Sequence, residues 1–311
     1  LNKKSIVIVI DVISLIIIIG FGITHSLQAH LSHSAKDQTA ITASPSRVEN
    51  RSLYSSLLKK QWHYRVYLPA NYQRLKAQGQ RFASIYMLHG TNGDQTDFTT
   101  KSQTKHFLDK LVKKFNEPVI VVFPSAEDSF YLNTKTQPYE QAIMRELIPK
   151  ITQTYQTAGG NKRAIGGLSM GGYGAARLLF RHPNQFSVGI MLSPAVWQVA
   201  TPHIQANPTI AGWRQNGSFS TTLYNASKPT RFVKSYLQKA TPPAALYVES
   251  SKYDTHVPIK NVNYFVKRLR QDGLTVNYQV DNFGGHSWTY WDQILPQAYQ
   301  FAFQQFNKAT Q

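Results

Sequence analysis

Cysteine is absent from this 311-residue chain. That excludes disulfides, thiolate metal sites and a cysteine nucleophile together. Acidic residues are scarce as well: 16 Asp and Glu stand against 34 Lys and Arg, for a net charge of +18. A surface so basic favours anionic partners such as acidic lipid headgroups or an anionic cell-wall polymer. No compact basic run interleaved with aromatics is present, which argues against a nucleic-acid partner. Metal-ligand clusters and phosphate-binding glycine loops are also missing. His30 and His33 have His-x-x-His spacing, but they stand alone in a polar stretch. No cofactor is expected.

What is present begins with one long apolar run, Ile6 to Ile23, behind Lys3 and Lys4 and interrupted by Asp11. Signal-peptide cores are roughly 7–15 residues long and a membrane-crossing helix needs about 20. The run is near the longer limit, and Leu27-Gln28-Ala29 and His33-Ser34-Ala35 are poor cleavage sites. Residues 1–24 are therefore expected to be a membrane anchor, with a cleaved signal peptide as the alternative. Paired lysines stay cytoplasmic and leave the remaining chain outside, so an exported domain is expected. Residues 25–50, rich in Ser, Thr, Ala, Gln and His, read as a flexible spacer.

From residue 51 to 311 the pattern becomes one of strands alternating with helices. SLYSSLL and WHYRVYLP alternate as an antiparallel pair. SIYMLHG (84–90), VIVVFPS (119–125), RAIGGLS (163–169), FSVGIMLSP (186–194), AALYVESS (244–251) and TVNYQV (275–280) are short apolar strands. Helical spacing marks 139–155, 172–182, 261–273 and 287–306. The alternation predicts an α/β fold, a mainly parallel sheet with helices on both faces. The stretch from about 197 to 242 breaks this rhythm and is expected to be a small cap-like insertion over the carboxyl ends of the strands.

Gly167-Leu168-Ser169-Met170-Gly171 lies where a strand turns sharply into a helix, the context in which Gly-x-Ser-x-Gly presents a nucleophilic serine. A serine hydroxyl needs a base. In this architecture the partners follow in the order Ser, acid, His. His286, in the glycine loop after the last strand, is the expected base. His182 ends the helix behind the serine, His203 lies in the insertion, and His256 reads as a neighbour of the acid. Candidate acids are Glu249, Asp254, Asp272 and Asp281. Asp254, in a loop just past a strand, suits the role best. The tetrahedral intermediate requires two amide donors; Met170 offers one, and Thr91, past His89-Gly90, offers the second. Trp288, Tyr290 and Trp291 could line an acyl pocket, but their helical spacing favours the core.

Together YMLHGTNGD (86–94), YEQAIMRELIP (139–149), GGLSMGGYGA (166–175), the Asp254 loop and GGHSWTYWDQILP (284–296) resemble the esterase D group, with its S-formylglutathione hydrolases, tributyrin esterases, feruloyl esterases and antigen 85 mycolyltransferases. The resemblance covers nearly the whole of 60–300. It implies an α/β-hydrolase fold, Ser169, Asp254 and His286 as the catalytic triad, and the Thr91 and Met170 amides as the oxyanion hole. The stretch before Asp254 reads VESSKYD, without the Cys-Gly or Gly common there. The expected activity is hydrolysis of a carboxylic ester, small or polymer-linked, through an acyl-serine. Transfer of the acyl group to a cell-wall or carbohydrate hydroxyl is the alternative.

Overall fold

A computed structural model of the chain describes residues 44–309. The apolar run at 6–23 and most of the expected spacer lie outside the described residues. No helix among the described residues is long and apolar enough to cross a membrane.

Eight described strands form one sheet: β1 (Arg47–Ser55), β2 (Lys60–Leu68), β3 (Ala83–Leu88), β4 (Val119–Pro124), β5 (Arg163–Leu168), β6 (Val188–Leu192), β7 (Ala245–Ser251) and β8 (Val276–Asp281). Their spatial order is β1-β2-β4-β3-β5-β6-β7-β8. β1 pairs antiparallel with β2 and β2 with β4, while β3 to β8 run parallel to one another. The carboxyl ends of β3, β5, β7 and β8 therefore share one edge, where loops can converge on a ligand. β3 to β6 are buried along their whole length, as expected of strands covered on both faces.

α1 (Thr104–Phe115) and α6 (Trp288–Lys308) cover one face, burying Leu108, Ile294, Leu295 and Phe303 against Ile85, Val121 and Ile190. α2, α3 (Met170–Arg181) and α5 (Ile259–Gln271) cover the other. α2 passes from Tyr139–Ala142 through a π-helical stretch, Ile143–Leu147, into Ile148–Tyr155. Pro149 has no N–H to give to the ladder, and the wider turn lies immediately before it.

Two boundaries differ from the sequence reading. β1 starts at Arg47, so the last residues assigned to the spacer are strand. Ser56–Lys59 form the hairpin turn rather than strand, closed by Lys59 in the left-handed region (φ 54°). The Glu146 carboxylate pins this turn, accepting from the Ser56 hydroxyl (2.6 Å) and the Leu57 N–H (3.1 Å). The expected insertion comprises short helices, including α4 (Pro202–Ala206), and a two-residue hairpin.

Candidate active site

β5 ends at Leu168 and α3 begins at Met170, so the chain must reverse within one residue. Ser169 takes that turn with φ 53° and ψ −119°, a conformation that costs an L-residue of order 1–3 kcal/mol. The flanking glycines are dictated by contact. A Cβ on Gly171 would lie 1.9 Å from the Leu88 carbonyl oxygen, and one on Gly167 would lie 2.5 Å from the Gly171 backbone. The turn is held by Ser169 N–H donating to Leu192 O (2.9 Å) and Ala195 N–H donating to Ser169 O (3.0 Å).

The Ser169 Oγ lies 2.8 Å from Nε2 of His286, whose Nδ1 lies 2.7 Å from Oδ2 of Asp254. With Nδ1–H donating to the carboxylate, Nε2 is free to accept the serine proton. Asp254 is fixed from behind, its Oδ1 accepting the N–H groups of His256 (2.9 Å) and Val257 (2.8 Å). The His286 ring is held between two others. His256 stacks on it at 5.0 Å and Trp291 meets it edge-on at 4.9 Å. His256 is thus more than a sequence neighbour.

The other candidate acids are engaged elsewhere. Asp281 accepts the Tyr290 hydroxyl (2.7 Å), Glu249 the Tyr247 hydroxyl (2.6 Å), and Asp272 is 3.7 Å from Arg268. His182 bonds Glu140 (3.0 Å) behind α3. Tyr290 and Trp291 are buried in the core, and Trp288 packs edge-on against Phe98 at 5.4 Å. None of these three aromatics lines the cleft over Ser169.

Met170 opens α3, so its N–H has no intrahelical acceptor. Thr91 faces the same cleft, and no described group accepts its N–H. Its direction is set through the preceding peptide. Gly90 O accepts from His89 Nδ1 (2.7 Å) and from Gly93 N–H (3.3 Å). In a planar trans peptide, C=O and N–H point in opposite directions, so anchoring Gly90 O aims the Thr91 N–H. Ala126 N–H donates to His89 Nε2 (2.8 Å), which assigns the proton to Nδ1. Burial lowers the His89 pKa below its usual value, keeping the ring neutral.

The loop after β4 supplies that Ala126 contact, and sequence reasoning passed over it. Tyr131 Oη donates to His89 O (3.0 Å), and the Phe130 N–H approaches Met170 Sδ (3.4 Å). Glu127, Phe130 and Tyr131 all have positive φ (48°, 52°, 57°). Such strain clusters at functional sites. The available signal was position alone, directly after a strand's carboxyl end.

A cleft of about 380 Å³ opens over Ser169, with Phe130, Trp197 and Ile204 as apolar walls and Asn92, His203 and Asn207 as polar ones. The insertion contributes its first part, 197–207, to this wall. Further along it, Phe232 packs on the Arg177 and Arg181 guanidiniums at 5.5 and 4.9 Å. A larger groove of about 670 Å³ between α1 and α6 contains none of Ser169, Asp254 and His286. Among the described residues no group of three or more His, Asp or Glu is placed to hold a metal ion.

Comparison with known proteins follows the same lines. The chain is 26% identical over 263 residues to an acetyl esterase of Caldicellulosiruptor saccharolyticus, covering 80% of this chain and 96% of that protein. Among solved structures it is similar to a ferulic acid esterase (TM-score 0.71, 24% identity, 84% of this chain and 99% of that one). It is also similar to an S-formylglutathione hydrolase from Staphylococcus aureus (TM-score 0.67, 16% identity, 84% and 100%). These structures share its α/β-hydrolase fold. The family model described as "Putative esterase" matches residues 55–302, and the chain belongs to that esterase family.

Proposed function

We propose that this protein is a carboxylic-ester hydrolase in which Ser169 is the nucleophile, His286 the general base and Asp254 the acid that orients it. One observation carries the reading: a continuous hydrogen-bonded line, Ser169–His286–Asp254 at 2.8 and 2.7 Å, ends beside Thr91 and Met170, two amides with no acceptor among the described residues. His286 Nε2 takes the hydroxyl proton as Oγ attacks the ester carbonyl. The Thr91 and Met170 N–H groups receive the oxyanion. His286 returns the proton to the departing alcohol, leaving an acyl-serine. Water, activated by the same base, releases the acid. Asp254 holds the ring through Nδ1 and stabilises the imidazolium as it forms.

The cleft volume of about 380 Å³ suits a compact acyl group with part of its alcohol, in keeping with the acetyl and feruloyl esters named for relatives. A second reading, transfer of the acyl group to a carbohydrate or wall hydroxyl, draws support from the polar wall of the cleft, where Asn92 and Asn207 can hydrogen-bond an acceptor's hydroxyls. Export behind an N-terminal anchor rests on Lys3, Lys4 and the apolar run that follows. The charge of +18 supports an anionic wall or membrane surface as neighbour.

The test is a panel of short-acyl, long-acyl and feruloyl esters, with and without a carbohydrate acceptor, on wild type and Ser169→Ala. The variant is expected to lose at least about 10³ in kcat and to resist fluorophosphonate labelling. Wild-type activity in Ser169→Ala would remove the reading. Acylated carbohydrate forming faster than free acid would select the transferase.

A further inference from the structure

Asp128 lies half-buried in the strained loop after β4, outside the cleft lining. Its Oδ1 accepts the Asn92 N–H at 2.7 Å, and its Oδ2 accepts from the Thr209 hydroxyl at 2.9 Å. Asn92 is the residue after Thr91 and is itself left-handed, with φ 56°. Thr209 belongs to the insertion. Its hydroxyl, with one hydrogen to give, is also within reach of Asn207 Oδ1 (2.7 Å), and its N–H donates to Asn207 Oδ1 (2.9 Å). Asn207 lines the cleft. One carboxylate thus joins the loop that carries the Thr91 amide to the segment that roofs the substrate.

We propose that Asp128 is a positioning residue that clasps the oxyanion loop to the cleft roof, one carboxylate oxygen holding the peptide that follows Thr91 and so the aim of its amide, the other holding the roof segment. The peptide before Thr91 is fixed by His89 and Gly93; the peptide after it is fixed by Asp128. Without the second anchor, Asn92 can leave its unfavourable φ for the ordinary region, and the turn carrying Thr91 rotates with it. A displacement of about 1 Å at a reacting group can cost on the order of 10²-fold in rate. The roof arm acts differently, fixing Asn207 in the cleft wall, and we assign that wall to the alcohol half of the substrate.

This rests on the reading of Ser169 and the Thr91 amide, and the variants separate the two. Asp128→Ala is expected to lower kcat about 10- to 100-fold with KM for a small ester nearly unchanged, while fluorophosphonate still labels Ser169 to completion. Asp128→Asn retains an oxygen for the Asn92 N–H and can donate to the Thr209 oxygen, so it should recover to within about threefold of wild type. Thr209→Val removes only the roof arm; it should raise KM for esters of bulky alcohols and cost kcat no more than about threefold. A trifluoromethyl ketone, whose hydrate-like adduct needs the oxyanion hole, should lose affinity across the Asp128 variants in step with kcat/KM. A merely structural carboxylate would change melting temperature and the labelled fraction but not this proportionality. Asp128→Ala with wild-type kcat per labelled site, or Asp128→Asn as slow as Asp128→Ala, would overturn the clasp and leave the Ser169 reading intact.

Discussion

The two sides of the cleft are built by different means. On the sheet side, strand ends present side chains: Ser169 after β5, Asp254 after β7 and His286 after β8, each within hydrogen-bond reach of the next. On the overhanging side, the side chains of His89, Asp128 and Tyr131 hold backbone: Gly90 O, Asn92 N–H and His89 O respectively. In the proposed reaction one side would transfer protons and the other would aim dipoles. The contrast teaches that a side chain near a reaction centre can matter either by its own chemistry or by the amide it fixes, and the two roles should fail differently.

The largest effect is expected on the sheet side. Asp254→Ala should lower kcat by about 10³–10⁴ with little change in KM, because the imidazole loses both its tautomer and the charge that stabilises its protonated form. Steady-state kinetics on one small ester would measure it. If Asp254→Ala proves milder than a change on the overhanging side, the division between chemistry and aiming collapses.

The same division governs what the sequence disclosed. Ser169 was legible because its constraint is local: glycines two residues either side are forced by backbone contacts of 2.5 Å and 1.9 Å. Asp254 and His286 were legible because a parallel sheet puts loops that follow strands at one edge. Of the overhang only the Thr91 amide was expected; the side chains that brace it were not, because they join stretches far apart in the chain, Asn92 to Asp128 and His89 to Tyr131, 36 and 42 positions apart, with no motif that links the two ends. Nothing in those short polar stretches announces the partner. α1 was also missed, lying between two recognised strands without a cap signal: its N-cap, Gln103, makes no capping bond. The segment YEQAIMRELIP was legible as a helix from its spacing and as a family segment from resemblance, and the fold supplies the reason for its polar residues. Buried Glu140 takes Arg181 Nε (2.7 Å), Arg177 and His182 from α3, fastening α2 to the helix that begins at Met170. Burial alone would raise the Glu140 pKa, but His182 and the two guanidiniums hold it down to about 2.

Next in size is His89→Ala. It removes the donor to Gly90 O and leaves the Ala126 N–H without its acceptor in a buried place. A loss of about 10² in kcat is expected from a misdirected Thr91 amide, with destabilisation of about 1–3 kcal/mol from the orphaned donor. Here stability and rate should fall together, unlike in Asp128→Asn. A rate loss with an unchanged melting temperature would mean that His89 acts on the substrate directly.

The smallest effect lies under the sheet side. Glu249, on β7, faces Tyr247, Asp281 and, beyond it, Tyr290 in the first turn of α6. Burial, opposed by the Tyr247 hydroxyl and reinforced by the Asp281 carboxylate, pushes its pKa up to about 8. A carboxyl whose folded pKa lies above its unfolded value binds more protons folded than unfolded. Its contribution to stability is therefore full below the unfolded value of about 4.5 and is lost as pH rises through about 8. Glu249→Gln removes the ionisation and should melt above wild type at pH 9 while differing little at pH 5. Because β8 is an edge strand and Asp281 is only half-buried, local relaxation takes up part of the strain, and about 1–2 kcal/mol at pH 9 is expected. Asp281 ends β8, and the loop beyond it carries His286, so the alkaline loss should reach activity as a late effect. Hydrolysis by wild type should decline above pH 8 more steeply than by Glu249→Gln. Coincident alkaline limbs for the two proteins would show that the acid pair beneath the sheet side does not govern the placement of the base.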